Sequence, residues 1–239
     1  MAGYVKTGID GLDAMLNGGI PEGNQVIVEG GPGSGKTLIS FEFLYRNALN
    51  GATGIFFSLD EEPERVIRNA KAAFYELDRI DEMIESGKML VYPDPYYTTS
   101  GTQYELGKLL SAIESKIEES NAKCVVIDSL AMLALMAPEP ARFRRAIVEI
   151  ITSLRKHGVI SLFTEEMKSP ERNRLEFSPE HFVFDGIITM YQTGEDFKRM
   201  PAIEVIKMRG TSHSMITTPY EITPSGFKIT AAENIVNYD

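Results

Sequence analysis

Apolar positions along the chain fall into short solid runs, separated by longer stretches in which they recur every three to four residues. Gln25–Glu29 reads as a buried strand and Thr37–Leu49 as a helix with one apolar face. Gly54–Leu59 is a second strand. A helix then opens near Pro63, where proline is tolerated because first-turn N–H groups have no helical acceptor. Lys88–Tyr92 is a third short strand. Across Tyr104–Glu119, Leu106, Leu109, Leu110, Ile113 and Ile117 share one stripe, the pattern of an amphipathic helix. Lys123–Asp128 is an apolar strand that ends in a carboxylate, Ala141–Lys156 another helix and Val159–Thr164 another strand. Strands alternating with helices predict an α/β fold with a mainly parallel sheet covered on both faces. After about Phe182 the rhythm changes. Gly186–Tyr191, Ala202–Met208, Tyr220–Thr223 and Phe227–Ile229 read as strands joined by turns with Gly, Pro and Ser, a C-terminal antiparallel β extension beside the parallel sheet.

No internal repeat, Gly/Ser linker or low-complexity stretch interrupts this pattern, and 239 residues suffice for one large α/β domain over 1–239. The longest apolar run, near Leu130–Ala137, is far short of the roughly 18–20 residues that span a bilayer, so no membrane role is expected. The opening residues Met1–Lys6 lack the apolar core of a secretory signal. The one cysteine, Cys124, has no partner for an internal disulfide. These features predict a cytoplasmic protein. With 34 acidic and 24 basic residues, the net charge of −10 repels polyanions unless the basic residues gather on one face. Nucleic acid is therefore not the favoured partner. ATP, also an anion, needs only one local pocket.

The sequence supplies such a pocket. Gly30-Gly31-Pro32-Gly33-Ser34-Gly35-Lys36-Thr37 fits the phosphate-loop pattern G-x-x-x-x-G-K-[ST] at every fixed position, between a strand and a helix. Its glycines let successive N–H groups point inward at phosphate oxygens, and the following helix adds the positive end of its dipole. The expected nucleotide contacts are Gly31, Pro32, Gly33, Ser34, Gly35, Lys36, Thr37 and Leu38. Lys36 would reach the β- and γ-phosphates of ATP, and the Thr37 hydroxyl would ligate Mg²⁺. A second magnesium-side carboxylate belongs at the end of a neighbouring buried strand, where Asp128 stands. Asp128 is followed by Ser129, so the group that activates water is sought in Asp60-Glu61-Glu62, at the end of the second strand. The same acids also suit the start of the helix at Pro63.

Taken together, these residues resemble the KaiC family within the RecA-like recombinase ATPases. Thr7-Gly8-Ile9-Asp10-Gly11-Leu12-Asp13, followed by Gly18-Gly19-Ile20-Pro21-Glu22-Gly23, looks like the opening segment of that family. Ser58–Pro63 resembles its acidic catalytic segment; aligned on the proline, its pair of adjacent glutamates falls on Asp60 and Glu61. Thr164-Glu165 matches the end of its sensor strand, and Lys207-Met208-Arg209-Gly210-Thr211-Ser212-His213 a further family motif. The resemblance implies a RecA-like P-loop fold and a homo-oligomeric ring, usually a hexamer, with ATP hydrolysed between subunits. It also implies that Lys207 and Arg209 act on a neighbour's nucleotide, with Thr211 and His213 among the nucleotide contacts. Alternation along a strand puts Lys207 and Arg209 on one face. Two departures count. Clock proteins of the family carry two such domains in tandem, and this sequence holds one. At the positions of their Ser-Thr phosphoacceptor pair stand His181 and Phe182, so autokinase activity of that kind is not expected.

The leading function is ATP hydrolysis that drives or times a conformational change or partner interaction. A second reading is a recombinase-like DNA-binding module. Its DNA loops would be Leu130–Pro140, followed by Arg142, Arg144 and Arg145, and Glu166–Glu180, where Lys168, Arg172 and Arg174 are diluted by four glutamates. Those loops could instead serve a protein partner, with Met132 and Met136 as adaptable contacts. A third reading is a nucleotide-dependent assembly protein that scarcely turns over. His157 and His181 have no partner ligands at metal spacing along the chain, so no zinc site is assigned.

Overall fold

Each solid apolar run becomes a central strand and each amphipathic stretch lies on one face of the resulting sheet, in a computed structural model that describes residues 3–93, 106–167, 177–193 and 200–230. The strands are β1 (Tyr4–Val5), β2 (Ile20–Pro21), β3 (Gln25–Gly30), β4 (Gly54–Ser58), β5 (Met89–Pro93), β6 (Cys124–Asp128), β7 (Ile160–Glu166), β8 (Gly186–Thr193), β9 (Met200–Met208), β10 (Thr218–Thr223) and β11 (Gly226–Ile229). The helices are α1 (Leu12–Met15), α2 (Lys36–Leu49), α3 (Pro63–Ala73), α4 (Ile80–Glu85), α5 (Leu106–Ser120), α6 (Leu130–Met136) and α7 (Pro140–Lys156). A 3-10 turn covers Pro179–Phe182. The sequence-predicted start of the α5 helix, Tyr104 and Glu105, lies outside the described residues.

Nine strands form one sheet in the order β11-β10-β9-β8-β3-β7-β6-β4-β5. β8, β3, β7, β6, β4 and β5 run parallel, and β9, β10 and β11 continue antiparallel. The antiparallel extension thus begins one strand later than the turn chemistry predicts. β8 pairs parallel with β3 through Val26↔Gly186 to Gly30↔Met190, and only β9 reverses direction. Alternation sends the two sides of each strand into separate cores. Val26 and Val28 of β3 join α2, α3, α4 and the β10–β11 hairpin on one face, while Ile27 joins α5, α6 and α7 on the other.

The opening segment is tied down by Asp13, whose carboxylate accepts from the Thr7 N–H and hydroxyl (both 2.7 Å) and from the Gly8 N–H (3.2 Å). That closure buries Ile9, Leu12, Leu16 and Ile20 in the α2-side core. Leu130–Met136, expected as a loop, is helix α6. Leu130, Leu133 and Met136 recur every three residues and face the α7-side core, so this apolar stretch is packing surface.

Candidate functional site

The ends of parallel strands all open on one edge of such a sheet, and β3, β6, β7 and β4 deliver the site there. β3 runs into the phosphate loop and α2 begins at Lys36. Gly33 (φ 75°) and Gly35 (φ 94°) hold left-handed backbone that side-chain-bearing residues rarely adopt. A Cβ on Gly35 would also meet Phe227 at 2.9 Å and Ile222 at 3.0 Å, because the β10–β11 hairpin packs against the loop. The Tyr220 hydroxyl donates to the Ser34 carbonyl at 2.5 Å and braces the loop further. Lys36 Nζ donates to the carbonyls of Gly30 (3.0 Å) and Gly31 (3.2 Å), arching back over the loop. Burial lowers its pKa, offset in part by the nearby Glu166 and Asp128 carboxylates.

Asp128 sits at the end of β6. It accepts from the Thr37 hydroxyl at 2.9 Å and from the Thr164 hydroxyl of β7. Burial raises its pKa, with Asp60 adding to the rise and the two hydroxyls and Lys36 opposing it. Asp60 accepts from the Ser129 hydroxyl, which places its carboxylate beside Asp128. Glu61 lines a cavity of about 240 Å³ together with Thr37, Leu38 and Phe41, and approaches Arg65 at 3.6 Å. Glu62 is the residue at the head of α3, and its side chain makes no capping hydrogen bond.

The loop and its neighbours fit a nucleoside triphosphate with Mg²⁺. The Ser34 hydroxyl is buried without a hydrogen-bond partner, Gly33 has open space where a side chain would stand, and Thr37 with Asp128 offers hard oxygen donors of the type Mg²⁺ takes.

Lys207 and Arg209 lie elsewhere. Lys207 Nζ donates to the carbonyls of Phe184 (2.5 Å) and His181 (3.4 Å). Arg209 meets Asp185 at 3.3 Å and the Phe182 carbonyl at 3.1 Å. Both cations therefore grip one corner, residues 181–185, as their shared face predicts. Arg155 joins them with two 2.8 Å contacts to Asp185. Asp185 in turn accepts from the Gln25 N–H, at the start of β3, the end of that strand away from the phosphate loop. Five residue steps of strand separate the two ends, roughly 16 Å. The Thr211 hydroxyl donates to the Ser212 carbonyl and His213 Nδ1 lies 3.0 Å from that of Ser214, on a loop anchored to α1 through the Ser214 N–H and the Met15 carbonyl. Among the described residues no hydrogen bond or ion pair links these four to the phosphate loop of the same chain.

Of the basic residues weighed for nucleic acid, Lys168, Arg172 and Arg174 lie outside the described residues. Arg142 and Arg145 share a surface hollow with Glu139 and Glu149, and Arg144 donates to the Pro179 carbonyl at 2.8 Å. No helix among the described residues is long and apolar enough to cross a membrane.

Chain spacing misleads at His181. Its Nε2 lies 2.8 Å from Glu29 Oε2 and 3.6 Å from Glu165 Oε2, residues 152 and 16 positions away in sequence. Parallel pairing of β3 with β7 puts Glu29 and Glu165 side by side, and no local motif announces that register. Burial, with Glu29 and Glu180 adding to it and His181 opposing, pushes the Glu165 carboxyl up to about 7.

Comparison with known proteins agrees with this construction. The family model for the KaiC ATPase matches residues 5–234. A UPF0273 protein of Thermotoga maritima is 35% identical over 240 residues, covering 96% of each chain. The circadian clock oscillator protein KaiC of a Picosynechococcus strain is 31% identical over 229 residues; the match covers 94% of this chain and 44% of the clock protein. Among solved structures, a KaiC-like protein from Pyrococcus horikoshii superposes with a TM-score of 0.83 at 29% identity, covering 96% of this chain and all of the other.

Proposed function

Since the chain belongs to the KaiC ATPase family, we propose that residues 1–239 form one ATPase domain that hydrolyses Mg²⁺-bound ATP at the subunit interfaces of a homohexameric, cytoplasmic ring, timing a conformational change or a partner interaction. The observation that carries the reading is the 2.9 Å contact of Thr37 with Asp128 beside Lys36, which joins the phosphate loop to the end of a buried parallel strand. Thr37 and Asp128 hold the metal, which supplies charge neutralisation at the phosphates. Lys36 leaves its two carbonyls for the β- and γ-phosphates, a charge-assisted contact in a partly dewatered site. Asp60 and Glu61 orient or deprotonate the attacking water. Lys207 and Arg209, remote from their own phosphate loop, serve the nucleotide of the adjacent subunit. Their contacts support that reading, because both cations are engaged at residues 181–185 and Arg209 stands at the far end of β3, the length of that strand from its own phosphate loop.

The test compares nucleotide binding and phosphate release by the wild type and Lys36→Ala. The wild type should bind ATP and release phosphate, and the folded variant should lose both. Wild-type affinity in Lys36→Ala would remove the assignment. A wild type that binds ATP and releases no phosphate would replace the enzyme with a nucleotide-dependent assembly protein.

A further inference from the structure

We propose that Glu29, Glu165 and His181 form a binding site for a divalent transition-metal cation, best matched by Zn²⁺, separate from the Thr37–Asp128 site. The three side chains come from the end of β3, the end of β7 and the 3-10 turn, and their donor atoms all lie within 4.8 Å of one another. Strand alternation sets this cluster on the sheet face of Ile27 and Phe163, whereas Asp128 shares the opposite face with Val126. Tetrahedral ligands at Zn²⁺ bond lengths stand roughly 3.3 Å apart. The observed 2.8 and 3.6 Å separations around Nε2 bracket that spacing, and no two donors stand more than 4.8 Å apart.

Three features argue for a cation. Glu29 and His181 are only 4% and 6% exposed, and buried charge is normally paired or metal-bound. Glu165 Oε2 is buried without a hydrogen-bond donor, and among the described residues no Lys or Arg pairs with Glu29 or Glu165. The outer contacts are also in place. The Thr189 hydroxyl donates to Glu29 Oε1 at 2.6 Å, leaving Oε2 to face inward. His181 Nδ1 accepts from the Ser178 N–H at 3.0 Å, so the ring proton sits on Nε2, in the centre of the cluster. A metal at Nε2 moves the ring proton to Nδ1, which gives up the Ser178 N–H and donates instead to the Ser178 hydroxyl 2.8 Å away, the kind of outer contact that fixes metal-bound imidazoles. One imidazole with two carboxylates favours Zn²⁺ over Mg²⁺, which prefers oxygen alone.

The experiment titrates the chelator-stripped full chain with Zn²⁺ alone, without nucleotide or Mg²⁺, by calorimetry and by metal content after gel filtration. One Zn²⁺ per chain is expected. Affinity should fall at least ~100-fold, beyond what outer contacts contribute, in His181→Gln and in Glu165→Gln. Glu165→Gln keeps the side-chain shape and removes a buried charge, so it tests the site in a folded protein. Asp128→Asn, which alters the magnesium-side carboxylate, should still take up Zn²⁺. Absence of stoichiometric zinc, zinc retained at full affinity in both cluster variants, or zinc lost in Asp128→Asn would each overturn the proposal.

Discussion

Asp128 accepts hydroxyl hydrogen bonds from a helix start, Thr37, and a strand end, Thr164, at once and still faces Asp60 and Lys36. The phosphate loop is legible because its glycines, lysine and threonine are consecutive and each has a local reason to be there. Ser129 and Tyr220, which hold Asp60 and the loop, carry no such signal; an isolated hydroxyl predicts nothing until its neighbour is known. The acidic pair divides its contacts in a way the sequence leaves open. Asp60 turns to Ser129 beside Asp128, and Glu61 lines the cavity at Thr37. Replacing both, Asp60→Asn with Glu61→Gln, keeps shape and removes proton-accepting capacity. Steady-state turnover should drop roughly 10²–10⁴-fold, the range of a general base, with ATP affinity nearly unchanged. A double variant that hydrolyses ATP at the wild-type rate would move the water-activating role elsewhere, to Glu62 or Glu165.

Helix α2 starts inside the loop at Lys36, and the β10–β11 hairpin clamps that start through Phe227 and Ile222 against Gly35. Glu42, buried within α2, accepts from the Phe227 N–H at 2.7 Å and pairs with Arg46, which fastens the same hairpin further along the helix. Gly35→Ala combines left-handed backbone with a clash at 2.9 Å. It should destabilise the chain by about 1–3 kcal/mol in chemical denaturation, backbone strain alone accounting for about 1–2 kcal/mol, and should weaken ATP binding. Unchanged stability and affinity would show that the loop relaxes freely. At the other end of the molecule, α7 closes on His157, which contacts the Ser153 carbonyl at 2.9 Å and Glu118 at 3.1 Å. Those two partners raise its pKa, the backbone carbonyl most. The folded state therefore holds the proton more firmly than the unfolded chain. The stabilisation is complete below the unfolded pKa, near 6.5, and fades as pH rises through the higher folded value. A cation at a helix C-terminus contributes about 0.3–1 kcal/mol. Denaturation midpoints should fall between pH 6 and 8.5 in the wild type more than in His157→Asn. Equal pH slopes would count against the assignment.

A parallel sheet gathers its strand ends on one edge, which places Lys36, Thr37, Asp128, Asp60 and Glu61 together, while the reversed β9 carries Lys207 level with Ile27 and leads to Arg209 at the far end of β3. For the proposed ring, that separation defines a complementation experiment. Arg209→Ala should bind ATP through its own loop and lose turnover, by up to roughly 10³–10⁵-fold if the cation acts as an arginine finger. Lys36→Ala lacks the loop cation and keeps Arg209. Mixed rings pair an intact loop with an intact Arg209 at some interfaces, so activity should partly return, and light scattering should report an oligomer strengthened by ATP. Full activity from a monomer, or no rescue in rings shown to be mixed, would remove the trans role.

The alternation of apolar runs and amphipathic stretches by itself determined the α/β class and nearly every central strand, because burial on both faces demands unbroken apolar sequence. The contiguous loop Gly30–Thr37 likewise fixed where an anion can sit. Tertiary structure alone decided what pairing register controls. It made β8 parallel to β3, turned Leu130–Met136 from an expected loop into core-facing helix, and set Glu29 beside Glu165 under His181. Register and packing depend on long-range neighbours, and residues 16 to 152 positions apart leave no trace of their meeting in the local pattern of the chain.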